Sequence, residues 1–294
     1  MKRLIVNADD FGLTRGISDG IIEGHRSGLI TSATVMVNMA AFDYAVEGAQ
    51  GCPNLGLGIH INLIDGRPVS TQPLPGLVNG EGKFLGSVRR LLQALLFKQV
   101  SLKTIELEVR AQIEKALRSI KEVTHIDGHK HIHVAPGIFP MILRLAREYR
   151  IRAARLPAED RLAPGRRPAG VPWTQWIPQR MNSRAISLAC LFMKRQLTYN
   201  NVITPDHFFG VTHTGFLDRA FLEWMLHALP DGVSELMCHP GYAGEDLKEV
   251  RTRLREQRES ELRALTDPLA VALARALNVQ LINYRDFIGS RVRA

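Results

Sequence analysis

Cysteine is scarce in this chain. Only Cys52, Cys190 and Cys238 occur among 294 residues, an odd number, widely scattered and without a CxxC pair. That pattern excludes a disulfide framework and fits reduced thiols in a cytoplasmic protein. No uncharged stretch approaches the length that crosses a bilayer. The opening Met1-Lys2-Arg3 has the charge of a signal-peptide head, but the apolar run behind it is short and is broken by Asp9-Asp10. No GxGxxG or Walker-type loop is present to cradle a nucleotide. Internal repeats and low-complexity segments are also lacking. Aromatic residues make up only 6% of the chain, which argues against a base-stacking nucleic-acid surface despite a net charge of +9 and a pI near 9.8.

With 45% hydrophobic residues, the chain can bury a large core. Strand-like segments alternate with helical periodicity along its length. Leu4 to Val6, Thr31 to Val37, Leu55 to Leu63, Val123 to Val134, Ile151 to Leu156, Ser234 to His239 and Val279 to Tyr284 read as strands. Helices are expected at Ile17 to Arg26, Phe42 to Gln50, Val88 to Phe97, Thr104 to Lys121, Pro136 to Tyr149, Asn182 to Leu197, Phe221 to Leu229, Glu245 to Leu265 and Pro268 to Leu277. Asn79-Gly80 is a two-residue hairpin signal inside a long Pro/Gly-rich loop. About seven βα units predict an α/β fold, an open or deformed parallel barrel of one domain spanning residues 1–294. The five prolines between Pro157 and Pro178 predict an irregular lid or binding loop, within an inserted region of about 157–200.

The chemistry gathers at predicted strand ends. The first strand runs into Asn7, Asp9 and Asp10, and two adjacent carboxylates leaving a buried strand call for a cation or a raised pKa. The competing reading makes Asp10 the cap of the next helix. The third strand delivers His60. The fourth delivers Asp127, His129, His131 and His133, two residues apart and so placed for one strand face. An apolar core does not ask for that set, and metal binding explains it better. Asp10, His60 and one histidine of the cluster would give a two-His, one-carboxylate site with an open position, leaving Asp9 as general base. Zn, Co, Ni and Mn suit such donors, Mg less comfortably. His239, in Cys238-His239-Pro240, is placed as a general acid or as a simple strand-end cap.

The stretches Asn7-Ala8-Asp9-Asp10-Phe11-Gly12, Gly58-Ile59-His60, Thr124-His125-Ile126-Asp127-Gly128-His129 and Cys238-His239-Pro240 resemble, in order, the signatures of the YdjC-like carbohydrate deacetylases. The resemblance covers nearly the whole chain. It implies a deformed (β/α) TIM-like barrel and one divalent metal, Zn or Mg first, held by Asp10, His60 and His129. It also implies Asp9 as base, His239 as acid and an N-acetylated sugar as substrate. Gly128 departs from the serine often found there. Arg155, Asp127, His131, Trp173 and Trp176 are the candidate substrate contacts.

Thr204 to Gly210 and Arg155-Leu156-Pro157 look most like the hopanoid-biosynthesis-associated branch. That branch implies an N-acetylglucosaminyl lipid, with the protein in the cytoplasm and peripheral to the inner membrane. Independently, the segment 157–197 is basic, through residues that include Arg161 and Arg166. It also carries a broad apolar arc through Ile186, Leu188, Leu191, Phe192, Met193 and Leu197. Such a surface suits a lipid interface, although a core helix under a solvated loop has the same pattern. Soluble chitooligosaccharides are the alternative substrate. A basic nucleic-acid binder or metal-dependent nuclease and a metal store are the rival classes.

Overall fold

The computed structural model describes residues 1–159, 167–168 and 170–292. Arg161 and Arg166 lie outside the described residues. Eight strands form one parallel sheet: β1 (Lys2–Phe11), β2 (Ser32–Val35), β3 (Gly56–Ile61), β4 (His125–Gly128), β5 (Ala153–Ala154), β6 (His207–Phe209), β7 (Gly232–Cys238) and β8 (Gln280–Leu281). Between and after them run α1 (Arg15–Ser27), α2 (Phe42–Gln50), α3 (Val88–Leu96), α4 (Leu102–Ser119), α5 (Ile138–Glu148), α6 (Trp173–Leu191), α7 (Lys194–Tyr199), α8 (Arg219–Ala228), α9 (Glu256–Thr266), α10 (Pro268–Ala276) and α11 (Tyr284–Val292). The spatial order is β5-β4-β3-β2-β1-β7-β6, with β8 paired to the amino end of β1. Isolated bridges, Ala153 to Ile203 and Glu159 to Phe208, link the two edges and curl the sheet into a deformed barrel.

β1 is the axis of this arrangement. Leu4, Ile5 and Val6 are fully buried, as a strand covered on both faces requires. Because every pairing is parallel, all carboxyl ends open on one rim, where the polar ends of β1, β3, β4 and β7 converge. Thr14, not Asp10, caps α1, its hydroxyl accepting from the Ile17 N–H. Asp10 instead sits in the left-handed region at φ 66°, where a carboxylate-bearing residue is strained unless its surroundings hold it.

Several expectations are corrected. The fourth strand stops at Gly128, and residues 129–134 form a 3₁₀ turn with Lys130 and His131 at φ 53° and 55°. The three histidines therefore do not share a strand face. Residues 173–178 are helical, so Trp173 and Trp176 stand on α6 and not in an irregular loop. The predicted helix from Glu245 breaks after a short 3₁₀ turn and resumes at Glu256. Asn79 closes a wider turn than a two-residue hairpin, its N–H donating to the Lys83 carbonyl and its side chain accepting from Glu81 and Lys83.

Candidate metal centre and active-site cavity

Asp10 is the hub of the rim. Its Oδ1 faces Nε2 of His60 at 3.5 Å and Nδ1 of His129 at 3.0 Å. The other nitrogen of each imidazole is held by a second carboxylate. His60 Nδ1 lies 2.7 Å from Asp127 Oδ1, and His129 Nε2 lies 3.1 Å from Asp65 Oδ2. A carboxylate on one nitrogen fixes a proton there and turns the opposite lone pair inward, the arrangement by which metal-bound histidines are oriented. Burial disfavours the His60 imidazolium, but Asp127 and Asp10 outweigh it and raise its pKa to about 10. The centre thus demands positive charge. Asp10, burdened by burial, is held well below the usual carboxylate range by Arg258 and His129.

Donor atoms of Asp10, His60 and His129 lie within 4.8 Å of one another, as a single cation needs. Asp9, His60 and Asp127 meet the same criterion. That second set already encloses a cation: the Arg155 guanidinium lies 2.7 Å from both Asp9 and Asp127 and is fully buried. Among the described residues, the first set is the one that fits a metal ion.

Asp9 lines the cavity beside this centre. Its two oxygens accept from Arg155 Nη1 and Nη2, each at 2.7 Å, and Oδ1 also accepts from Asn7 Nδ2. The Arg155 Nε donates to Glu235 at 2.8 Å. His239, one residue past β7, lines the same cavity, and its Nδ1 has no partner among the described residues. Burial lowers its pKa to about 4 against the pull of Asp9 and Asp10, so it rests uncharged. Glu261 holds it from behind, accepting its backbone N–H at 2.6 Å.

The cavity encloses about 960 Å³. Its floor holds Asp9, Asp10, His60 and His129, and His131 lies on its wall, its Nδ1 without a partner among the described residues. The remaining candidates are placed elsewhere. Asp127 and Arg155 are sealed behind Asp9 and His60 at 0% exposure, so they orient those groups and do not meet a substrate. Trp176 is buried under α6 with its ring 5.3 Å from that of His213, and Trp173 points outward beneath the Arg167 guanidinium. Neither tryptophan lines the cavity. His133 turns away to the Arg155 carbonyl.

Asp65, Arg258 and Glu261 were not anticipated. Arg258 Nη2 donates to Asp10 Oδ2 at 2.6 Å from 248 residues away, and no local spacing announces such a partner.

The sequence model for the YdjC-like protein family matches residues 3–276. The chain belongs to this family. Among relatives, it is 34% identical over 284 residues to a Brevibacillus brevis protein named carbohydrate deacetylase, covering 97% of this chain and 99% of that one. A Geobacillus stearothermophilus protein of the same name is 34% identical over 292 residues, with 96% and 97% covered. A solved structure from Enterococcus faecalis V583, named for cellobiose-phosphate cleavage, superposes with a TM-score of 0.76 at 25% identity, covering 97% of this chain and 98% of that one. The fold expected from the YdjC-like motifs is the fold observed.

Proposed function

We propose that this YdjC-like protein is a metal-dependent deacetylase that hydrolyses the N-acetyl group of an acetylated amino sugar, preferentially the headgroup of a hopanoid-type lipid. One observation carries the reading. Asp10, His60 and His129 turn one donor atom each toward a common point on the cavity floor, with Asp127 and Asp65 bracing the imidazoles from behind. A divalent cation held there supplies Lewis acidity toward the amide carbonyl and makes water more acidic. Zn, Co, Ni and Mn match two imidazoles and a carboxylate, and Mg less well.

The protein's own residues do the rest. Asp9, fixed in one orientation by Arg155, takes a proton from the attacking water. His239 rests uncharged, so it takes up a proton from solvent and passes it to the departing amine, while Asp9 returns to solvent the proton it took from water. Acetate and a free amino sugar result. The whole chain acts as one domain, with residues of the 157–200 region walling the pocket.

The lipid substrate is favoured over soluble chitooligosaccharides by the cavity wall. Leu92, Ile132, Val134, Ile186, Ala189 and Met237 line it, and no Trp, Tyr or Phe offers a sugar-stacking face among the described residues. Among those residues no helix is long and apolar enough to cross a membrane, so a lipid headgroup would be met from the surface.

The test is acetate release from an N-acetylglucosaminyl lipid and from chitooligosaccharides, before and after chelation and metal add-back. Activity should vanish on chelation, return with a transition metal, and fall by about 10²-fold or more in Asp9→Asn. Full activity in either condition overturns the mechanism. A strong preference for the soluble oligomers overturns the lipid assignment alone.

A further inference from the structure

Helix α6 has three faces. Trp176, Ser183 and Cys190, seven apart, are buried against the barrel. Gln179, Asn182, Ile186 and Ala189 border the cavity. The third face points outward and is apolar: Trp173, Ile177, Met181, Leu188, Leu191 and Phe192 are between 49% and 79% exposed. An outward face of a helix in water is ordinarily polar, and a continuous apolar stripe marks a partner.

The charge around the stripe specifies that partner. Between Asp160 and Asp206 the sequence has 7 Lys or Arg and no acidic residue. Arg184 lies within the stripe, and Lys194 and Arg195 follow at its end; all three are exposed. The cavity mouth continues the field, since Arg253 donates to Gln179 of α6 and Arg255 to main-chain carbonyls. Two copies of this chain packing stripe to stripe would set the cations of residues 161–205 against one another, with no acid in that segment to offset them. An anionic surface with an apolar interior meets both requirements.

We infer that the outer face of α6 and the start of α7 docks on a bilayer carrying anionic lipids. The exposed apolar side chains enter the acyl boundary, Trp173 sits at headgroup level, and the flanking cations meet lipid phosphates. Docked this way, the helix that walls the cavity lies on the membrane, and the cavity mouth opens beside the headgroups. The inference deepens the lipid-headgroup reading and rests on it for the purpose of docking, but vesicle binding is measured without turnover.

The experiment is co-sedimentation of the full chain with vesicles of phosphatidylcholine alone or mixed with phosphatidylglycerol. Binding should require phosphatidylglycerol and weaken with salt. Leu188→Ser with Phe192→Ser should lower the partition coefficient by at least ~10-fold, because two large apolar side chains leave the boundary. Arg184→Gln with Lys194→Gln should lower it by roughly 10-fold or more at low ionic strength. Both pairs should unfold at the wild-type temperature and release acetate from soluble oligomers at the wild-type rate. Equal binding to neutral vesicles, no binding to anionic ones, or unchanged binding in both pairs overturns the inference. So does a vesicle-free dimer that the apolar pair abolishes, which makes a second copy the occupant. Asp9→Asn should lose hydrolysis and still bind vesicles, whereas a wild-type protein that binds vesicles but releases no acetate sinks the deacetylase reading and leaves docking standing.

Discussion

Replacing Arg155 with methionine is the sharpest test of how the catalytic floor is held. The guanidinium is fully buried, pairs with Asp9 and Asp127 at 2.7 Å, and reaches Glu235 at 2.8 Å. Methionine keeps much of the volume and removes the guanidinium that these three buried carboxylates share. Breaking a buried ion pair from one side costs about 3–5 kcal/mol, since the stranded charge loses its partner and gains no water. With an unfolding entropy of about 2.1 cal/mol/K per residue, that loss lowers the melting temperature of a 294-residue chain by roughly 5–8 °C. Thermal unfolding followed by circular dichroism reads this directly. A second substitution isolates the cause. In the wild type, Glu235→Gln should destabilise, because it weakens the acceptor for Arg155 Nε and Tyr284 Oη. In the Arg155→Met background the same change should stabilise, because it removes one stranded carboxylate. If Arg155→Met melts within a degree of wild type, or Glu235→Gln has the same sign in both backgrounds, the charge-balance account is refuted.

Three further outcomes are expected. Asp65→Asn should weaken metal binding by about 10–100-fold with the fold intact, read by calorimetric titration, because His129 loses the carboxylate that orients it. Glu261 has its pKa raised by burial to about 7, so the native state holds a proton that the unfolded chain releases near its ordinary value of 4.5. Its contribution therefore falls as pH rises from about 4.5 to about 7, by about 3 kcal/mol in all, and Glu261→Gln should flatten that part of the urea-unfolding profile. Gly58→Ala would put a methyl 2.5 Å from the His125 ring, which is stacked on Tyr284 at 3.6 Å and has nowhere to move. A loss of about 1–3 kcal/mol by chemical denaturation is expected.

The parts legible in sequence were those set by short-range rules. A β-branched strand ending in paired carboxylates, and a histidine alternating with isoleucines, report strand, face and terminus at once, which is why Asp9, Asp10 and His60 stand on the cavity floor. The histidine run misled because alternation holds only while the backbone stays extended. Lys130 and His131 adopt left-handed angles without a glycine to announce the turn. β6 is three residues long, too short to show a period. Proline suggested a loop at 173–178, yet Pro178 is accommodated inside α6. Asp65 and Arg258 act across the fold, so only the assembled barrel reveals them.

Glu159 fastens α6 to the rim. Its carboxylate accepts from the Ser183 hydroxyl on the helix and from Gly210 and Thr212 just beyond β6, while its N–H donates to Ser187. Gln179 adds a second tie, donating to the Val211, Thr212 and Thr214 carbonyls, so the helix is moored apart from the residues that run the reaction. Chain on the outer side of that mooring is free to diverge, so relatives could retune what they accept by rewriting a single helix while the machinery beneath stays untouched.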